Sequence, residues 1–141
     1  MLQEQQSRGQ ALIELAILAP WIFFLFIAVV DTGFCVVAAI SVQNAARAAA
    51  LYTSSRSAPP GGSCAAVTQE LQSMPNYAAV ASAGCSSLPL QVTFLPLASG
   101  IDGNPASRVT VTYQTIPLVP VPLLFSGPVT LISTVEMPMR P

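Results

Sequence analysis

The feature that most constrains this chain is an apolar run close to its N-terminus. The sixteen residues from Leu15 to Val30 carry no charge, and after Asp31 the uncharged stretch continues to Ala46. A helix of sixteen residues is about 24 Å long, slightly short for a bilayer core of about 30 Å. A helix that continues through Asp31 to Val42 is long enough to cross. The sequence therefore predicts one membrane-embedded helix.

The order of the segments around this run is not that of a cleaved secretory signal. In such a signal the cleavage site follows the apolar core. Here a polar leader, Met1 to Gly9, comes first, and the alanine-rich stretch Ala38 to Leu51 continues the helix. We predict one helix from about Gln10 to Tyr52. The Pro and Gly pairs within Arg56 to Ser63 end it. The predicted organisation is a leader (1–9), a transmembrane and assembly helix (10–55) and an extracytoplasmic domain (56–141).

The outer domain has the pattern of a small antiparallel sheet. Val109, Val111 and Tyr113 alternate with polar residues, as in a strand with one buried face. The turn Asp102-Gly103 favours a hairpin between the first two strands. Ser63 is a candidate cap for a short helix. The predicted fold class is α+β, a long N-terminal helix packed against a sheet. The predicted short helix is Cys64 to Met74, and the predicted strands are Leu90 to Leu95, Arg108 to Thr115 and Val129 to Met137.

Composition argues against several classes of function. Of the 141 residues 52% are hydrophobic. The basic residues are 5 Arg and no Lys, and there are 6 acidic residues. Five scattered cations form no basic face, so we expect no nucleic-acid partner. There is no His, the usual general base near neutral pH and the commonest metal ligand. We expect no enzymatic activity, no metal site and no cofactor.

The head of the helix carries a recognisable motif. Gly9 is followed by Glu14 five residues later, and Glu14 opens the apolar sequence Glu-Leu-Ala-Ile-Leu-Ala-Pro, which ends at Pro20. This resembles the prepilin-peptidase motif of type IV pilins, and more specifically the TadE-like pseudopilins of tight-adherence (Flp-type) pili. The resemblance implies cleavage between Gly9 and Gln10 by a prepilin peptidase. The implied partners are other pilin subunits and the pilus assembly machinery, with the inner membrane as the location before assembly.

The same resemblance assigns a role to Glu14. It implies that the Glu14 carboxylate meets the α-amine that cleavage creates on Gln10, on the same or a neighbouring subunit, and so sets the register of assembly. A carboxylate in a low-dielectric bundle needs a cation or a proton. The alternative is a solvated residue at the membrane interface. Pro20 removes one intrahelical hydrogen bond, and the sequence leaves open whether the helix continues through it.

Asp31 and Arg47 are a further candidate pair for assembly. Sixteen residues span about 24 Å along a helix, so a straight helix excludes contact within one subunit. Only a staggered neighbour could bring the two charges together. The alternative places Asp31 at the outer membrane interface. The proline-rich segment Ile116 to Pro128 also has two interpretations, an extended connection over the core or an apolar contact surface.

Cysteine positions favour one disulfide. Cys64 and Cys85 both lie in the outer domain, which would fold in an oxidising compartment, whereas Cys35 lies in the apolar helix. We predict a Cys64–Cys85 bridge and a free Cys35, with two buried thiols as the alternative. The predicted function is a pilin or minor pseudopilin subunit of a surface filament. The alternative is a non-polymerising single-pass membrane protein whose outer domain binds a partner.

Overall fold

The computed structural model describes residues 2–55, 61–116 and 127–139, with side chains from residue 10 onwards. It has the predicted α+β architecture, a long N-terminal helix packed against a four-stranded antiparallel sheet. The bounds are α1 (Leu2–Thr53), α2 (Gly62–Glu70), α3 (Tyr77–Ala83), β1 (Ser86–Ser87), β2 (Leu90–Leu97), β3 (Ala106–Thr115) and β4 (Val129–Pro138).

Helix α1 begins at Leu2, eight residues before the predicted start at Gln10, and ends at Thr53. The leader contains three Gln, one Leu and one Glu, which are good helix formers, so its polarity does not prevent helix formation. The helix is continuous through Pro20. The chain divides into two compact units, Met1–Phe34 and Cys35–Pro141.

The region after α1 differs most from the prediction. The expected single helix, Cys64 to Met74 with Ser63 as its cap, is wrong at both ends. Helix α2 begins at Gly62 and its N-cap is Gly61, whose φ of 90° lies in the left-handed region that favours glycine. A Cβ on Gly62 would collide with the hydroxyl group and ring of Tyr52, so the position has no room for a side chain.

A second short helix, α3, and the two-residue strand β1 were absent from the predicted elements. Their sequences are short, and α3 consists mostly of Ala, so neither shows a clear hydrophobic period. Helix α3 ends at Ala83, and its C-cap Gly84 also has a positive φ (57°). The short size of these elements explains why the pattern alone did not find them.

The sheet has the strand order β1-β2-β3-β4, and every neighbouring pair is antiparallel. The predicted hairpin between the first two long strands is confirmed as β2–β3. In its turn the Gly103 N–H donates to the Gly100 carbonyl at 3.0 Å, and Gly103 has a φ of 76°. The three long strands lie where the alternation predicted them, with ends extended by one or two residues.

Within the unit Cys35–Pro141, the last part of α1 and the sheet form the core. The predicted inward face of β3, Val109, Val111 and Tyr113, is fully buried. The Thr53 and Ser107 hydroxyl oxygens lie 3.3 Å apart, a hydrogen bond between α1 and β3. Of the predicted helix-breaking pairs, the Pro pair (59–60) lies outside the described residues, as does most of the proline-rich segment (116–128). The buried residues of α1 are mostly alanines: Ala38, Val42, Ala45, Ala46, Ala49 and Ala50.

Candidate assembly surface on the N-terminal helix

The first half of α1 presents large apolar side chains on all sides. From Gln10 to Thr53 the helix is 44 residues long and is apolar enough to cross a membrane by length and composition. At 1.5 Å per residue this segment is roughly 66 Å long, about twice a bilayer core. We call the exposed apolar side chains between residues 12 and 30 the assembly surface. They are Leu12, Ile13, Leu15, Ile17, Leu18, Trp21, Ile22, Phe23, Phe24, Leu25, Phe26, Val29 and Val30.

Glu14 is an exposed acid within this surface. The Gln10 side-chain amide lies one turn before it, and Gln10 Nε2 donates to Glu14 Oε1 at 3.4 Å. Residues 10 and 14 therefore share one face of the helix, as the spacing of four requires. This geometry places the backbone nitrogen of Gln10 one turn from the carboxylate. The role of Glu14 in assembly stays a prediction.

Pro20 lies inside α1 without ending it. Because proline has no N–H, the usual hydrogen bond to the carbonyl four residues earlier, on Ala16, is missing at this turn. The Ala16 carbonyl therefore lacks its usual intrahelical donor. Separately, the Thr32 hydroxyl donates a hydrogen bond to the Ala28 carbonyl at 2.8 Å.

Asp31 and Arg47 differ in exposure. The Asp31 side chain is 7% exposed, whereas Arg47 is exposed on α1. A contact between Asp31 of one subunit and Arg47 of another stays a prediction. The ion pair seen among the described residues is Arg108–Glu136, with 2.9 Å between Nη2 and Oε2.

A disulfide joins Cys64 of α2 to Cys85, just after α3, in agreement with the predicted pairing. Their Cα atoms are 5.7 Å apart and the sequence separation is 21 residues. Cys35 is a free, half-buried thiol, as expected. The bridge therefore closes a loop that contains most of α2 and all of α3. The described residues contain no group of three or more His, Cys, Asp or Glu side chains that could hold a metal ion.

Two polar contacts of the outer domain were not predicted from the sequence. Asn76, which lies in the disulfide loop, forms hydrogen bonds with both Tyr113 and Gln114 of strand β3. Burial raises the pKa of Tyr113, while its hydrogen bond to Asn76 acts in the opposite direction. Hydrogen bonds from Arg108 and from the Ile101 N–H hold the pKa of Glu136 below its ordinary value. Both contacts join residues far apart in sequence, which no local pattern reveals.

Comparison with known proteins places the resemblance in the same helix. No curated protein and no solved structure matches the chain. The family model described as TadE-like protein matches residues 9–51. The match starts at the predicted cleavage position, covers the assembly surface and ends two residues before α1 does. Over residues 9–51, therefore, the chain is similar to the TadE-like family, in agreement with the resemblance seen in its sequence.

Proposed function

We propose that this chain is a pilin-like subunit of a tight-adherence (Flp-type) pilus. It is held in the inner membrane by α1, cleaved between Gly9 and Gln10 by a prepilin peptidase, and assembled through α1 into a surface filament. The observation that carries the proposal is the assembly surface, which lies within the TadE-like match. In this role the chain is a structural subunit and a peptidase substrate.

The physical argument starts from the apolar area of that surface. Large apolar side chains that leave a bilayer are exposed to water unless other apolar groups cover them. Burial of apolar surface contributes about 25 cal/mol of free energy per Å². Helices of neighbouring subunits supply such a cover. Hydrophobic packing has no directional preference, so a polar contact must fix the register between subunits. Glu14 and the new α-amine of Gln10 supply that contact.

Two measurements test this proposal: the identity of the N-terminal residue of the mature chain, and the incorporation of the chain into filaments. Terminal peptide mapping of sheared filaments should find Gln10 as the first residue. Recovery of Met1 instead, or of the chain only as a detergent-soluble monomer, would favour a non-polymerising membrane protein with a binding domain.

The substitution Glu14→Gln tests the register contact separately. It keeps the side-chain size but removes the charge, so we expect cleavage to persist and incorporation to fall. Glu70→Gln is a matched control, because it makes the same change on an exposed residue of α2. Normal incorporation of Glu14→Gln would contradict the assigned role.

A further inference from the structure

The apolar stretch from Leu15 to Val30 contains a single side chain with a polar hydrogen, the indole N–H of Trp21. Every other residue of the stretch is Ala, Val, Leu, Ile, Phe or Pro. The Trp21 side chain is 70% exposed on the assembly surface. In the part of the chain that the structure describes, its indole N–H makes no hydrogen bond. Trp21 therefore presents one hydrogen-bond donor within an otherwise apolar surface.

The backbone of the same stretch contains an acceptor without its usual donor. This acceptor is the Ala16 carbonyl, because Pro20 has no N–H to donate to it. In apolar surroundings such a carbonyl is satisfied by a nearby Ser or Thr, by ordered water or by a neighbouring helix. The stretch contains no Ser or Thr, and dry apolar cores hold no water. A neighbouring helix is therefore the remaining source of a donor.

The donor and the acceptor of one helix do not meet each other. Groups three or four residues apart are neighbours on a helix surface, whereas Ala16 and Trp21 are five residues apart and lie on different faces. Two parallel helices bring them together, because the indole of one can approach the carbonyl of the other. The side chains one turn after Ala16, at Ala19 and Pro20, are short and leave room for that approach.

We propose that in the filament the Trp21 indole N–H donates a hydrogen bond to the Ala16 carbonyl of a second copy of this chain. This inference rests on the proposed function, which brings the α1 helices of neighbouring subunits together in parallel. In an apolar core each group is otherwise buried without a partner, which disfavours every packing that separates them. The contact thus selects one arrangement among many apolar packings.

This contact is compatible with the proposed contact of Glu14. Glu14 and Trp21 are seven residues apart, which is about 20° short of two turns, so they share one face of α1. When the Glu14 carboxylate meets the Gln10 amine of a neighbouring subunit, the axial offset is four residues, or about 6 Å. The contact from Trp21 to Ala16 has an offset of five residues, or about 7.5 Å, in the same direction. The offsets differ by about 1.5 Å, so one stagger between parallel helices satisfies both contacts.

Removal of the donor alone is the first test. A tryptophan analogue with sulfur in place of the indole N–H, introduced at position 21 by codon reassignment, keeps the ring shape and removes only the donor. The ratio of chain in sheared filaments to chain in the membrane should fall about fivefold or more. An equal ratio with the analogue and with Trp21 would overturn the proposal.

Removal of the acceptor tests the identity of the partner group. Pro20→Ala restores an N–H at position 20, which bonds to the Ala16 carbonyl of its own helix. In cells that make only this variant, the analogue at position 21 should cause no further loss, because the indole N–H already lacks its acceptor. The same analogue in the otherwise unchanged chain is the matched control. An equal loss in both backgrounds would show that the indole N–H does not bond to Ala16.

Photo-cross-linking separates this proposal from the proposed function. Leu25 is exposed one turn after Trp21 on the same face, so a cross-linker there keeps the indole. It should join residues near Pro20 of a second copy, which is identified by making tagged and untagged chains together. A product with a non-identical subunit, or with a different level of a second copy, overturns the Trp21 contact and leaves the filament role standing. If the surface-exposed protein gives no product with any helix, both proposals fail.

Discussion

The Tyr113 hydroxyl donates a hydrogen bond to Oδ1 of Asn76, which lies 37 residues earlier in the chain. The other half of the same amide, Nδ2 of Asn76, donates to the Gln114 carbonyl at 3.1 Å. Gln114 is opposite Pro89, which accepts a hydrogen bond from the Gln114 N–H but has no N–H to return. Asn76 supplies that missing donor. One buried amide therefore satisfies two groups of β3 and joins the disulfide loop to the sheet.

We expect Asn76→Ala to destabilise the outer domain. It leaves the buried Tyr113 hydroxyl and the Gln114 carbonyl without this partner, which typically costs about 1–3 kcal/mol per group. Tyr113→Phe removes one of the two bonds and should cost less. Thermal unfolding in detergent measures both, with the exposed Ser82→Ala of α3 as control. Equal unfolding midpoints for Asn76→Ala and Ser82→Ala would contradict the assignment.

Burial of Tyr113 also predicts a loss of stability at alkaline pH. The raised pKa means that the unfolded chain releases the phenolic proton first, near its ordinary value of 10.0. This contribution is fully present below that pH and is lost as the pH rises through the folded pKa. Tyr113→Phe should flatten this part of the curve, which is measured by the free energy of unfolding against pH. An unchanged alkaline slope would show that Tyr113 does not titrate on unfolding.

The sequence predicts the main elements of this fold because its strongest patterns are local. Sixteen uncharged residues from Leu15 to Val30 predict the apolar helix, and the alternation around Val111 predicts the buried face of β3. The position of the two outer cysteines favours their pairing. Each of these signals depends on neighbours in sequence or on compartment, so none requires knowledge of tertiary contacts.

The remainder depends on contacts that local patterns do not contain. The close approach of the Tyr52 ring leaves no room for a side chain at Gly62, the first residue of α2, and the N-cap is Gly61 although Ser63 is the better cap by residue type. The role of Asn76 follows from the missing N–H of Pro89, a residue on another element. Which β4 amides point away from β3 depends on the register between the two strands, and residue alternation alone leaves that register undetermined.

Removal of the disulfide should lower the stability of the outer domain. The loop between Cys64 and Cys85 has a sequence separation of 21 residues, for which the chain-entropy model gives about 3 kcal/mol. We therefore expect the double substitution Cys64→Ala/Cys85→Ala to lower the unfolding midpoint, and to make it insensitive to added reductant. Cys35→Ala is the matched control, because that thiol is free. Reductant sensitivity that persists in the double variant would place the bridge elsewhere.

The buried alanines in the last part of α1 predict a strict limit on side-chain size. Ala45, Ala46, Ala49 and Ala50 are fully buried, so close-packed neighbours leave little room for larger side chains at these positions. Ala49→Leu inserts three carbon atoms into this contact and should cost about 1–3 kcal/mol through displaced backbone or strained rotamers. Gln43→Leu, at an exposed position of the same helix, adds a similar apolar side chain and should leave the unfolding midpoint nearly unchanged. Equal midpoints for the two variants would mean that Ala49 is not closely packed in the folded protein.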